Sequence, residues 1–310
     1  MSELALLKEF RAGAPTHPAI RVGPGSDCAV LTCTPGHEFT YKIDQVVEGT
    51  HFVLAGEAPS GPIPHATPRQ VGAKALNKAL SDLAAAGSWP VAAMVSVNVR
   101  KGTPDAVARE LYQGLVASCV AFGCGLAGGD YAVSENGLSV SVALIGSCPA
   151  GSAWTRAGGR PGDVLLVTGS LGGSLAGKHL DFTPRLAEAR AIRALAGAGV
   201  HACIDITDGL ARDLKHLCDE SHCGATVHAA RVPLSDAAVA TGDGLGHALC
   251  DGEDFELLLA VEPAAAARLL AESPRPLTAI GTLDEPGTGR WLVLPDGERR
   301  ALPDVGYEHR

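Results

Sequence analysis

The chain has 310 residues, a length that favours two domains over one. Its hydrophobic content of 46% and charged content of 19% exclude an intrinsically disordered chain. The net charge of −9, without any run of Lys or Arg, disfavours a nucleic-acid surface, and no apolar stretch approaches the roughly 18 residues of a transmembrane helix. The N-terminal Met1-Ser2-Glu3-Leu4 lacks the basic start of a secretory signal, so we predict a cytoplasmic protein.

The first half of the sequence alternates between predicted helices and strands. Two helix starts are marked by an N-cap threonine followed by proline, at Thr67-Pro68 and Thr103-Pro104. We expect the first of these helices to reach Ala86, before Gly87, and the second to end near Gly123. The other predicted elements are a helix from Ser2 to about Arg11 and strands at 29–34, 38–47, 91–99 and 138–145.

A Gly- and Pro-rich stretch at 148–162 is the clearest change of composition, and we place a domain boundary there, between residues 1–150 and 151–310. The second half is predicted to contain strands at 163–168, 202–206 and 255–261 and helices near 185–197, 208–221 and 263–272. Mixed helices and strands in both halves predict two α/β or α+β domains.

Short turns that carry acidic residues are spread over more than two hundred residues of the sequence. Each places a carboxylate beside Gly or a small hydroxyl residue, where the backbone can approach a ligand closely. The carboxylates are Asp27, Asp44, Asp82, Asp130, Asp205, Asp208, Glu253 and Asp254. Hard divalent cations such as Mg²⁺ prefer clustered oxygen ligands together with substrate phosphates. The turns therefore predict carboxylates that converge on metal-bound phosphate.

Each turn also has a simpler structural interpretation. Lys42 and Asp44 leave the same face of a strand and could form a salt bridge, and Lys78 lies one helical turn before Asp82. Asp208 could be a helix N-cap. The two glycines of Gly128-Gly129-Asp130, which we expect to follow a short strand, would let backbone N–H groups face an anion.

Taken in order, these segments resemble the thiamine-monophosphate kinase family, in the superfamily that includes aminoimidazole-ribonucleotide synthetase. The resemblance covers nearly the whole chain, from Val22 to Tyr307. The matching segments in the first half are 23–29, Asp44 with 48–52, Leu80-Ser-Asp-Leu-Ala-Ala-Ala-Gly87 and Gly128-Gly-Asp130. Those in the second half are Trp154-Thr-Arg156 with Arg160-Pro-Gly-Asp163, Asp205-Ile-Thr-Asp-Gly-Leu210 and Gly252-Glu-Asp-Phe-Glu-Leu257.

The resemblance implies the two-domain architecture of aminoimidazole-ribonucleotide synthetase. It assigns metal and ATP binding and dimerisation through a sheet to the N-terminal domain, and makes the C-terminal α/β domain complete the active site. It further implies ATP-dependent, Mg²⁺-assisted phosphorylation of thiamine monophosphate to thiamine diphosphate by a homodimer that uses small-molecule substrates. In-line phosphoryl transfer relies on positioning and charge neutralisation, and a phosphate nucleophile requires no strong general base.

The resemblance also assigns roles to individual residues. The implied metal ligands are Asp27, Asp44, Asp82, Asp130, Asp205 and Asp208. Nucleotide phosphates would be contacted by Gly129, Asp130, Arg156 and Thr207, with Arg156 and Asp208 as the catalytic pair. The thiamine-phosphate side would be lined by His51, Glu253 and Tyr307.

Three departures from the family pattern fall on the predicted metal site. Ser26 replaces an Asp, and Lys42 and Ile43 stand where small hydroxyl residues are usual. We hypothesise that Lys42 takes the place of one divalent ion. Two alternatives stay open on the sequence: a sister ATP-dependent enzyme with another substrate, and a catalytically altered paralogue that binds nucleotide or thiamine phosphates.

Overall fold

A computed structural model of the chain describes residues 9–10, 12–22, 30–31, 33–55, 63 and 65–307. The predicted helix start at Ser2 and the turn that carries Ser26 and Asp27 lie outside these residues.

The described helices are α1 (Pro68–Ala85), α2 (Asp105–Phe122), α3 (Lys178–Asp181), α4 (Leu186–Ala196), α5 (Leu210–Ser221), α6 (Asp236–Ala240), α7 (Gly244–Cys250) and α8 (Pro263–Glu272). Strands of the first half are β1 (Ile20–Val22), β2 (Val30–Leu31), β3 (His37–Val47), β4 (Val53–Leu54), β5 (His65–Ala66), β6 (Trp89–Arg100), β7 (Gly125–Ser134) and β8 (Ser139–Pro149). Strands of the second half are β9 (Val164–Thr168), β10 (Val200–Ile206), β11 (Gly224–His228), β12 (Glu256–Val261), β13 (Leu277–Asp284), β14 (Arg290–Val293) and β15 (Arg299–Ala301).

The chain divides into two compact units. The first comprises residues 1–83, 88–151 and 180–182, and the second comprises 84–87, 152–179 and 183–310. The first unit contains a four-stranded sheet in the order β3-β8-β6-β7, in which only the β6–β7 pair is parallel. Alternate residues of β8 are fully buried, because one face of the sheet packs against a helix layer.

Helices α1 and α2 approach each other closely at two glycines. A Cβ atom on Gly72 would overlap the carbonyl oxygen of Leu111, and one on Gly114 would overlap that of Arg69. Only glycine permits this backbone contact. The crossing fixes the position of α1, which carries Asp82.

The second unit is built on a seven-stranded sheet in the order β10-β12-β9-β13-β11-β14-β15. Helix α5 packs its apolar face against this sheet, with Leu210, Leu214 and Leu217 fully buried. Strand β10 ends at Ile206 and α5 begins at Leu210, so the segment 207–209 is held between a buried strand and a buried helix.

The sequence predicted the main helices well, and the structure confirms the helices at 68–85, 105–122, 186–196, 210–221 and 263–272. The prediction for Gly128-Gly129-Asp130 is wrong in detail, because these residues lie inside the ten-residue strand β7 rather than in a turn after a strand. Parallel pairing with β6 extends the strand through both glycines. Strands β11, β13, β14 and β15 were not predicted. Within the described residues, no helix is both long enough and apolar enough to cross a membrane.

Candidate active site

Two of the predicted metal ligands, Asp44 on β3 and Asp82 on α1, lie together in the first unit. The ammonium group of Lys42 contacts both carboxylates, at 2.8 Å from Asp82 Oδ1 and 3.5 Å from Asp44 Oδ2. Lys78 Nζ is 3.8 Å from Asp44 Oδ1. The ion pair of Lys42 and Asp44 considered from the sequence is therefore present, and it extends to a second carboxylate.

His51, predicted to line the thiamine-phosphate side, joins the same cluster. Its Nδ1 accepts a hydrogen bond of 3.1 Å from the backbone N–H of Val47, and its Nε2 lies 3.5 Å from Lys78 Nζ. Lys74, which is fully buried, donates to the His51 carbonyl oxygen at 3.1 Å. The two ring contacts hold the imidazole beside Lys78, which in turn contacts Asp44.

Asp130 is not brought to this cluster by the sheet of the first unit. The row of ladder partners that begins at Asp44 continues through Val142 and Val95 to Gly129. Asp130 is the next residue along β7, so its side chain leaves the opposite face. A Cβ on Gly129 would overlap the carbonyl oxygen of Val95, which explains this glycine by packing.

In the second unit, Asp205 is the second-last residue of β10 and Asp208 lies in the turn before α5. Asp208 is not the helix N-cap, because that position is taken by Gly209 at φ +100°. Instead, Asp213 accepts hydrogen bonds of 2.9 Å from the backbone N–H groups of both Thr207 and Asp208. One buried carboxylate thus binds two backbone donors of the turn that precedes the helix.

Asp213 was missed by the sequence prediction. Burial raises the pKa of its carboxyl to about 8, and the negative charges of Asp208 and Asp205 add to this shift while the two N–H donors oppose it. Burial is thus the main cause of the raised pKa, and the two neighbouring carboxylates make smaller contributions.

Glu253 and Tyr307 meet the same turn through backbone hydrogen bonds. The N–H of Glu253 donates to the Thr207 carbonyl at 2.7 Å, and the N–H of Tyr307 donates to the Asp208 carbonyl at 3.0 Å. Glu253 has a φ of +50°, a conformation that is uncommon for a residue other than glycine. Its carboxylate lies 3.0 Å from Nδ1 of the buried His179, a contact the sequence did not reveal.

Arg156 lies beside α5. Its carbonyl oxygen accepts a hydrogen bond of 2.8 Å from the Ser221 hydroxyl. Partial burial lowers the pKa of His216, the positive charge of Arg156 lowers it further, and the negative charge of Asp208 opposes the shift. The charges of Arg156 and Asp208 therefore shift the pKa of His216 in opposite directions.

In the acidic segment after Gly252, Asp254 and Glu256 form contacts that stabilise the fold. Glu256 accepts two hydrogen bonds of 2.6 Å from Arg185 and one of 2.8 Å from Lys178. Burial raises the pKa of Asp254 to about 7, although Lys178 and the N–H of Gly172 partly offset this effect. These partners come from residues 168–188, far away in sequence, so local sequence patterns gave no sign of them.

Comparison with known proteins places these motifs in a family. The profile described as "AIR synthase related protein, N-terminal domain" matches residues 25–148, and the corresponding C-terminal domain profile matches residues 160–291. A thiamine-monophosphate kinase of Rhodopirellula baltica is 32% identical over 323 residues, covering 99% of this chain and 97% of the relative. The chain belongs to the thiamine-monophosphate kinase family.

Two solved structures share the fold of this family member. The thiamine-monophosphate kinase from Stenotrophomonas maltophilia K279a has a TM-score of 0.79 at 27% identity, covering 96% of this chain and 98% of that one. The structure of AaThiL in complex with AMPPCP and TMP has a TM-score of 0.75 at 24% identity, covering 99% and 96%. The expected two-domain architecture of AIR synthase relatives is confirmed by the two profiles and these likenesses.

Proposed function

We infer that this chain catalyses the ATP-dependent phosphorylation of thiamine monophosphate to thiamine diphosphate. The observation that carries the inference is the turn at 205–209, where a thiamine-monophosphate kinase motif is assembled with Glu253 and Tyr307 by backbone hydrogen bonds. The relation to thiamine-monophosphate kinases along nearly the whole chain supports the same substrates.

The donor set of this turn fits Mg²⁺. Asp205 and Asp208 offer hard carboxylate oxygens on both sides of Thr207. Burial raises the pKa of Asp213 most, and the charges of Asp208 and Asp205 raise it further. We propose Asp205 and Asp208 as Mg²⁺ ligands in the second unit. Asp27 and Asp130 remain proposed metal ligands of the first unit. When bound, the ion supplies positive charge to the phosphate oxygens.

The protein groups would then position and neutralise the two anionic substrates. We propose that Arg156 and Thr207 bind nucleotide phosphates and that Glu253 and Tyr307 bind thiamine monophosphate in the second unit. His51 is the proposed thiamine-monophosphate contact of the first unit. A phosphate oxygen of thiamine monophosphate attacks the γ-phosphorus of ATP. A new P–O bond forms while the bond between the γ-phosphorus and the β–γ bridging oxygen breaks, and ADP leaves with that oxygen. Since the nucleophile is already anionic, this chain needs no side chain to remove a proton.

The direct test is a phosphorus NMR assay of the purified protein with ATP, MgCl₂ and thiamine monophosphate. We expect equal amounts of thiamine diphosphate and ADP, and loss of both products when EDTA is added in excess over Mg²⁺. ADP and inorganic phosphate without thiamine diphosphate would contradict the proposed acceptor.

We also propose that the chain forms a homodimer through the sheet of the first unit. Phe39, Tyr41 and Ile43 alternate along β3, so their side chains share one face. Tyr41 is 71% exposed and Ile43 is 63% exposed. Ile43 pairs with Ala143, which pairs with Met94, so the exposed apolar surface continues across the sheet. Exposed apolar patches of this kind mark protein interfaces.

A Tyr41→Glu substitution is expected to convert the dimer to a monomer, because it buries an unpaired carboxylate at the proposed interface. Sedimentation velocity at several protein concentrations measures the change. The matched control is Val120→Glu, which also replaces an exposed apolar side chain by a carboxylate. Val120 lies on α2, is 68% exposed and does not belong to the sheet. A wild-type chain that sediments as a monomer at all concentrations would overturn the proposal.

A further inference from the structure

The cluster around Lys42 in the first unit holds opposite charges in balance. Lys42 Nζ contacts Asp82 at 2.8 Å and Asp44 at 3.5 Å, while Lys78 Nζ lies 3.8 Å from Asp44. Among the described residues, two carboxylates thus face two ammonium groups. The side chain of Asp44 is 14% exposed, so its charge is poorly screened by water and its interaction with nearby ammonium groups is strong.

The arrangement follows from the two elements that carry it. Lys42 and Asp44 are two residues apart on β3 and leave the same face of the sheet. Lys78 and Asp82 are four residues apart on α1 and lie on one side of that helix. Lys78 Nζ also lies 3.5 Å from the carbonyl oxygen of Gln45, which holds it over the strand.

These contacts leave Asp44 and Asp82 poorly suited to share a divalent ion. Mg²⁺ needs near-octahedral oxygen ligands, and the space between the two carboxylates is taken by the Lys42 ammonium. A second cation at this position would be repelled by both lysines.

We propose that the Lys42 ammonium is a built-in cation between Asp44 and Asp82, so that this chain binds one divalent ion fewer than its carboxylates would otherwise hold. The biological meaning of the inference rests on the proposed phosphotransferase function. Its test counts bound metal ions and does not require that function. Lys42 is then a determinant of metal stoichiometry, and among the described residues it supplies positive charge beside Asp44 and Asp82 together with Lys78.

The test counts bound Mn²⁺ by electron paramagnetic resonance in the presence of the ATP analogue AMPPCP. Lys42→Ser is expected to bind one more Mn²⁺ per chain than the wild type, because removing the ammonium leaves two adjacent carboxylates. Lys42→Arg keeps the charge and is expected to keep the wild-type count. Lys101→Ser is the matched control, since Lys101 pairs with the exposed Glu135 in the same unit.

The thermal midpoint gives a second readout. Without metal, Lys42→Ser should melt at a lower temperature than the wild type because Asp44 and Asp82 then repel each other. Mn²⁺ should raise its midpoint by more than that of the wild type, since a ligand that binds only the folded state stabilises it. Equal Mn²⁺ counts in wild type and Lys42→Ser would overturn the proposal.

A measurement on the unmodified chain covers the case in which Lys42→Ser does not fold. Anomalous diffraction from wild-type crystals soaked in Mn²⁺ should show no peak between Asp44 and Asp82, and a peak there would overturn the proposal. The kinase assay on the wild type is separate. If no thiamine diphosphate forms but Lys42→Ser gains an ion, the proposed function fails and the role of Lys42 stands.

Discussion

A Glu256→Gln substitution is expected to lower the free energy of unfolding by about 3–5 kcal/mol. The Glu256 side chain is 1% exposed and accepts hydrogen bonds from Arg185 at 2.6 Å and from Lys178 at 2.8 Å. Thr168 donates a further hydrogen bond of 2.7 Å. Glutamine preserves the shape but replaces the buried carboxylate shared by Arg185 and Lys178 with a neutral amide, and removing one partner of a buried ion pair is costly.

Urea unfolding followed by circular dichroism measures this loss. The chain offers a control with the same chemistry at the surface, because Arg300 forms two hydrogen bonds of 2.7 Å with Glu298. Glu298→Gln is expected to leave the urea midpoint nearly unchanged, since water solvates both partners of an exposed ion pair. Equal shifts for the two variants would show that burial does not strengthen the Glu256 network.

The helices were predictable because their signals are local. Thr67-Pro68 and Gly87 bracket α1, and the structure ends that helix at Ala85. The strand through Gly128-Gly129-Asp130 was not predictable in the same way. Two successive glycines have low strand propensity, and only the long-range parallel pairing with β6 keeps them extended. Local propensity was overridden by a partner more than thirty residues away.

The candidate site was likewise predictable from the sequence only in part. Its carboxylates could be named from the sequence, because each lies in a short motif of recognisable residue types. Their supports could not be named. Asp213 binds the turn at Thr207 and Asp208 from the next helix, and His179 reaches Glu253 across more than seventy residues. A sequence pattern shows which residues are present, but not which distant side chains form hydrogen bonds with them.

The sequence predicted that the acidic turns converge, but within the first unit the acidic residues do not all lie together. Asp44 and Asp82 come together in the first unit, but Asp130 leaves the other face of the same sheet. The sequence could not reveal this, because the side of a sheet on which a residue lies depends on strand register, and a shift of one residue reverses it.

An Asp208→Asn substitution is expected to lower kcat/KM for thiamine diphosphate formation by at least about 100-fold, equivalent to about 2.7 kcal/mol of transition-state stabilisation. The amide retains the shape of the side chain but loses the negative charge proposed to hold Mg²⁺. The free energy of unfolding, by contrast, is expected to increase. The charge of Asp208 contributes to the raised pKa of the buried Asp213, so its removal relieves repulsion in the folded state.

Steady-state kinetics and urea unfolding at pH 8 measure the two effects on the same preparation. Asp219→Asn is the control, because Asp219 is an exposed acid on the same helix as Asp213 and pairs with Lys215. We expect this control to retain wild-type activity. Loss of activity with equal or higher stability identifies Asp208 as a group placed for catalysis at a cost to the fold. Loss of activity together with stability would assign Asp208 a structural role, and unchanged activity would remove it from the proposed metal site.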